Sequence, residues 1–216
     1  MTFSLAARCP ETGAFGVAIT TASLAVGARC PFARGGVGAV LTQNRTDPRL
    51  GPKGLDLLAA GKSAQETIDD LVRNAHVIGW RQLAVVDAQG RTAHYSGKSI
   101  VSKHCGAEGP GCISIGNLLV SDTLPRRMVE GYMANPKAAF ADRLIDSLVA
   151  GLDAGGEINP VRSAAVLVAE KFDFAEINLR VDDHDDPVTE IRRIWKAYEP
   201  QVDTFVLRVL DPDAVV

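Results

Sequence analysis

No stretch of this sequence reaches the roughly 20 uninterrupted apolar residues that a membrane helix requires, so no membrane span is expected. The opening residues, Met1-Thr2-Phe3-Ser4-Leu5, lack the basic region and apolar run of a secretory signal, which points to a cytoplasmic protein. Cysteine is sparse. Cys9, Cys30, Cys105 and Cys112 show no C-x2-C spacing, and in a reducing compartment such residues are plain thiols. There is no basic stripe either: the formal net charge is −3 and Lys and Arg are scattered, which argues against a nucleic-acid partner. Internal repeats and low-complexity segments are lacking too. What remains is a chain of 216 residues, 46% hydrophobic and 23% charged, long enough for one well-buried domain over residues 1–216.

The sequence pattern predicts strands at Thr2 to Arg8 and Ala14 to Thr21, joined by Cys9-Pro10-Glu11-Thr12-Gly13. Pro10 sets one backbone angle there and Gly13 can take a positive φ. A third strand, Gly36 to Gln43, ends in Asn44-Arg45-Thr46. A helix over about Lys53 to Ala60 stops at Gly61. Ser63-Ala64-Gln65-Glu66 forms a capping box, so the next helix starts at Ala64, with Ile68, Leu71, Val72 and Ala75 on one face.

Arg81 to Val86 and Thr92 to Tyr95 flank the turn Asp87-Ala88-Gln89-Gly90 as a hairpin. Ser99 to Pro110 has no clear period and is expected as a loop, followed by a strand from Cys112 to Val120 and a helix over Leu124 to Ala134. Asn135-Pro136 caps the longest helix, Lys137 to Ala154. Strands at Ser163 to Ala169 and Ile177 to Val181 precede a helix from Asp186-Pro187 to about Tyr198, and Thr204 to Leu210 is expected as an edge strand.

This order lacks the strict strand–helix alternation of a wound parallel sheet. The α+β class fits: two antiparallel sheets packed face to face with helices outside each, a four-layer α-β-β-α sandwich. Strands buried on both faces account for the continuous apolar runs at residues 36–41 and 164–169.

The blocks Thr2-Phe3-Ser4-Leu5-Ala6-Ala7-Arg8, Pro10-Glu11-Thr12-Gly13, Gly36-Val37-Gly38-Ala39-Val40-Leu41-Thr42-Gln43 and Gly51-Pro52-Lys53-Gly54-Leu55-Asp56-Leu57-Leu58 resemble the domain-of-unknown-function family numbered 1028. Gln82-Leu83-Ala84-Val85-Val86-Asp87, Gly90-Arg91, Gly116-Asn117, Leu179-Arg180-Val181-Asp182-Asp183-His184 and Asp186-Pro187 extend the resemblance along nearly the whole chain. It implies a fold similar to the N-terminal-nucleophile hydrolases. It does not supply a substrate; the expected activity is a cofactor-free reaction on the amide or cyclic amide bond of a small molecule.

In that superfamily the first residue of the mature chain attacks and its own α-amine, which titrates at about 7.7 to 8.0, takes the hydroxyl proton. Thr2 is the corresponding residue, freed if Met1 is removed; a Thr2 that is plain strand structure is the other reading. Thr20, Thr21, Ser23, Gln43 and Asn44 form a polar rim on an apolar sheet. The expected substrate-binding set is Thr21, Gln43, Asn44 and Asn117, with the carboxamides as donors to an oxyanion. Relatives of the fold carry an acid just after the second strand, whereas Thr20-Thr21-Ala22-Ser23 has none.

Arg34 stands either for a lysine near the nucleophile or as a surface arginine, and Asp47 suits a turn. Asp182 to Asp186 is read as turn and N-cap rather than metal site, and His104, Cys105 and Cys112 lack zinc spacing. His94 is expected as a packing residue. Two rivals stand beside the Thr2 mechanism: a ring-opening cyclohydrolase that activates water, and a non-catalytic binding or assembly protein. A homodimer is compatible with either.

Overall fold

Side chains alternate across a strand, so the first strand contributes to two layers at once. In the computed structural model, which describes residues 2–214, β1 (Thr2–Arg8) and β2 (Phe15–Thr21) form the central hairpin. Its turn closes with Gly13 at φ +78°. β8 (Cys112–Asn117) and β7 (His104–Gly109) extend the sheet on one side, β9 (Ser163–Ala169) and β10 (Ile177–Val181) on the other. The resulting order is β10-β9-β2-β1-β8-β7. A second sheet has the order β3-β4-β5-β6, from Pro31–Arg34, Gly38–Asn44, Arg81–Asp87 and Thr92–Ser96. Every pairing is antiparallel.

Phe3, Leu5 and Ala7 face α3 (Leu124–Met133), α4 (Phe140–Asp153) and α5 (Pro187–Tyr198) in one core. Ala6, Val17, Ile19 and Ile115 meet Leu41, Ala84 and Val86 between the sheets. Val40, Leu83 and Val85 pack under α1 (Leu50–Ala59) and α2 (Ala64–Asn74). The layers are therefore α-β-β-α, with three buried cores. Full burial of each Leu or Ile side chain contributes about 1.5–3 kcal/mol.

The local signals explain most boundaries. Ser63 Oγ accepts from the Glu66 amide at 3.3 Å and Glu66 accepts from the Ser63 amide at 2.8 Å, which starts α2 at Ala64. Asp186 accepts from the Thr189 amide at 3.2 Å with Pro187 at the first helical position of α5. α1 starts at Leu50, three residues before the expected Lys53, because Pro52 is tolerated in a first turn. β8 ends at Asn117 rather than Val120, where Leu118 turns to φ 55°.

Three expectations are corrected. Thr204 to Leu210 is not an edge strand: α6 (Val202–Leu210) is a helix, and Val202, Phe205, Val206 and Val209 recur at helical spacing. Ser99 to Pro110 is not all loop, for β7 pairs with β8 from His104 to Gly109. It is a glycine-bearing edge strand with no fully buried side chain, so no alternation marks it. α4 begins at Phe140 with Ala139 as N-cap, so Asn135-Pro136 does not cap it. A short edge strand, β3, has no counterpart among the expected strands; it opens on Pro31, which an edge tolerates.

Candidate functional site at the start of the central strand

Thr2 opens β1, and the register sets it opposite Asn117 of β8 on one side and, one step past the Phe3–Thr20 pair, opposite Thr21 of β2 on the other. All three have the parity of Ala6, Ile19 and Ile115, so their side chains point between the sheets. Thr2 Oγ1 lies 3.4 Å from Thr21 Oγ1. Thr2 is 6% exposed and Thr21 is 1% exposed, so the hydroxyl pair is almost closed off.

Behind the pair runs a buried network that ties the two sheets together. Ser4 Oγ donates to Gln43 Oε1 at 2.7 Å, and Gln43 Nε2 donates to Gln82 Oε1 at 2.9 Å. Gln82 Nε2 donates to the Gly116 carbonyl at 3.0 Å and to Ser96 Oγ at 3.1 Å. A backbone carbonyl can only accept, so the Gly116 contact fixes which end of the Gln82 amide is nitrogen. Asn117 must then present its Nδ2 to Gln82 Oε1, which it does at 3.0 Å. Its own Oδ1 is left buried without a partner among the described residues. Asn117 therefore offers the site an acceptor, and one of its two N–H donors is spent on the network.

The second buried acceptor comes from a segment that sequence reasoning passed over. Glu157 follows α4 and bridges Leu119, just past the end of β8. It is 7% exposed, its Oε2 accepts from the Ala22 amide at 3.3 Å, and its Oε1 has no partner among the described residues. The Thr21 carbonyl is taken by the Arg162 amide from the β9 side. Amides of successive strand residues point to opposite sides, so the Ala22 amide points to the β1 side and brings the carboxyl to the start of β1. Burial is the largest influence on Glu157 and pushes it up to about 7.

The other expected residues lie apart. Asn44 sits at φ 64° and its Nδ2 donates to the Trp80 carbonyl at 2.6 Å, so its amide anchors the end of β4 to the turn before β5. Arg34 pairs with Asp56 at 2.9 Å on the surface, at the opposite pole from Thr2. Asp47 accepts from the Arg49 amide and pairs with its guanidinium at 2.8 Å, which holds the carboxyl below the usual range. Arg162 pairs with Asp183 and Asp185. His94 lies 3.5 Å from Glu108 and is partly exposed. Among the described residues no three His, Cys, Asp or Glu side chains group as metal ligands, and no helix is long and apolar enough to cross a membrane. Ser4, Gln82 and Glu157 are the residues sequence reasoning missed. The first two carried a signal, a polar side chain at inward parity on an apolar strand; Glu157 carried none.

Fold and site together define an α-β-β-α sandwich protein with a buried polar cluster at the head of its central strand. The chain belongs to the family of unknown function DUF1028, whose model matches residues 2–191. The crystal structure of a protein from Silicibacter pomeroyi that carries the same family model is similar at 28% identity and a TM-score of 0.83, over 91% of this chain and 88% of that one. Anbu, an ancestral beta-subunit from Yersinia bercovieri, is similar at 13% identity and a TM-score of 0.39, over 94% and 96% of the two chains. No curated protein matches.

Proposed function

We propose that this protein hydrolyses the amide or cyclic amide bond of a small molecule, with Thr2 as nucleophile once Met1 is removed. Met1 lies outside the described residues. The observation that carries the reading is Glu157: a buried carboxyl, with one oxygen unpartnered among the described residues, set at the start of β1 beside the Thr2–Thr21 pair. It takes the place of the acid that the resemblance implies after the second strand.

In this mechanism the α-amine of Thr2 accepts the Oγ proton as Oγ attacks the substrate carbonyl. The resulting ammonium is held by the acceptors Glu157 and Asn117. The C–N bond then breaks, the leaving nitrogen takes the proton back, and water hydrolyses the Thr2 ester to release the acid. Thr21 orients the attacking hydroxyl, and the Ser4–Gln43–Gln82 network keeps Asn117 in its amide orientation.

One observation favours a second reading. A carboxyl titrating near 7 suits a general base that activates water, which would open a cyclic amide with no free amine. A panel of small amides and lactams assayed with wild type, Thr2→Ala and Glu157→Gln separates the readings. Loss of turnover in both variants is expected. Activity in Thr2→Ala with loss in Glu157→Gln would transfer the reaction to water, and no turnover by the wild type would leave a binding or assembly scaffold.

A further inference from the structure

A cation is buried at the other pole of the sandwich with no carboxylate paired to it among the described residues. Arg143, in the first turn of α4, is 3% exposed. Its Nε donates to the Tyr132 carbonyl at 3.3 Å, and the guanidinium stands 4.2 Å over the Tyr132 ring. Among the described residues it pairs with no carboxylate, and the Nε contact to Tyr132 leaves its terminal nitrogens free to face the cleft. Arginine is rarely buried unpaired, because desolvating a charge is costly unless a partner offsets it. Its place compounds the cost, since the first turn of a helix carries the positive end of the dipole.

Arg143 lines a cleft of about 280 Å³ together with Arg8, the last residue of β1. Arg8 also forms no ion pair among the described residues. Pro10, Gly90, Pro110 and Gly111 supply the walls, so hairpin turns from both sheets converge here. The Arg8 amide donates to the Gly111 carbonyl at 2.8 Å, which fixes two of those turns to each other. Glu11, on the same turn as Pro10, is exposed and pairs with neither arginine.

We propose that this cleft binds a phosphate group, either free phosphate or the monoester of a small molecule, between the guanidiniums of Arg8 and Arg143. Two fixed positive charges with no carboxylate in the lining match a dianion better than a carboxylate. The planar fork of each guanidinium suits bidentate contact with phosphate oxygens. The site is separate from the Thr2 cluster: the two arginine-bearing and threonine-bearing ends of β1 are about 20 Å apart at the usual rise of a strand. Because the walls belong to both sheets, an occupant links them, and a ligand that binds only the folded chain raises its melting temperature with concentration.

The test is thermal unfolding at constant ionic strength with inorganic phosphate, glycerol 3-phosphate, acetate or chloride. A saturable rise with phosphate or its monoester is expected, and whichever of the two binds more tightly identifies the source. Arg143→Gln and Arg8→Gln are each expected to weaken the apparent affinity at least ~10-fold. Arg8 is only half-buried, so its variant preserves the test if the Arg143 variant folds poorly. A rise that chloride or acetate matches, a rise unchanged in both variants, or no saturable rise would overturn the proposal.

Discussion

Replacing Glu157 with Gln is expected to make the protein more stable above neutrality. The Glu157 carboxyl is raised from 4.5 to about 7 in the folded chain by burial. That displacement corresponds to about 3 kcal/mol, at about 1.36 kcal/mol for each pH unit between the two values. Below the unfolded value the group is protonated in both states and the folded chain has no penalty. Between the two values the folded chain keeps its proton while the unfolded chain has released it. Stability therefore falls as pH rises through that window, and above about 7 the full cost of a buried carboxylate is present.

Gln is neutral at every pH, and its oxygen can still accept from the Ala22 amide. Urea unfolding of both proteins from about pH 4.5 to about pH 8 measures the gap. The two should nearly coincide at the acid end, with Glu157→Gln ahead by up to about 3 kcal/mol at the alkaline end. Parallel stability curves would refute the reasoning, because they would mean that the carboxyl is neither buried nor raised. A stabilising substitution that abolishes turnover is the pattern expected where function retains a strained group.

Other outcomes follow from the same geometry. Gln82→Ala removes the contacts to Gly116 and Ser96, strands the Asn117 donor and leaves Gln43 Nε2 only its longer contact to the Ile115 carbonyl, so it should cost about 3 kcal/mol in denaturant titration. Asp87 joins the turn after β5 to α2. Burial pulls its carboxyl up, but the Ala64 amide and the Arg91 and Gln89 contacts take it below 3.8. Its stabilisation is thus present above 3.8 and lost as pH falls through the folded value. Asp87→Asn should cost about 2 kcal/mol near neutrality, with calorimetry showing the gap close on acidification. Gly51→Ala would bring a Cβ within 2.1 Å of the Phe32 ring where α1 crosses β3, and should lower the melting temperature by an amount equivalent to about 1–3 kcal/mol.

The pattern of apolar residues places β1, β2, β4, β5 and β9, and the continuous runs at 36–41 and 164–169 mark β4 and β9 as strands buried on both sides. The layer order followed from them. β3 and β7 were hidden for the opposite reason: edge strands bury little, and Pro31 and Gly106 suppress the usual signal. The composition of α6 reads as a strand because its valines favour either state and only their spacing separates the two.

In the site, Thr2, Thr21, Gln43 and Asn117 were legible as polar ends of apolar strands, and they share the face between the sheets. Asn44 carried the same signal, yet a positive φ turns its amide toward Trp80. Glu157 was not legible, since an acid in a turn after Gly155-Gly156 looks like a solvated residue until the bridge to Leu119 places it under cover.

The central claim is that the Thr2 hydroxyl attacks substrate beside Glu157, and its most direct measurement is mass spectrometry of the N-terminal peptide after an acid quench during turnover of a small amide. A peptide that begins at Thr2 and carries the acyl group of the substrate is the expected result. Turnover by a chain whose N-terminal peptide still begins at Met1 and stays unmodified would contradict it.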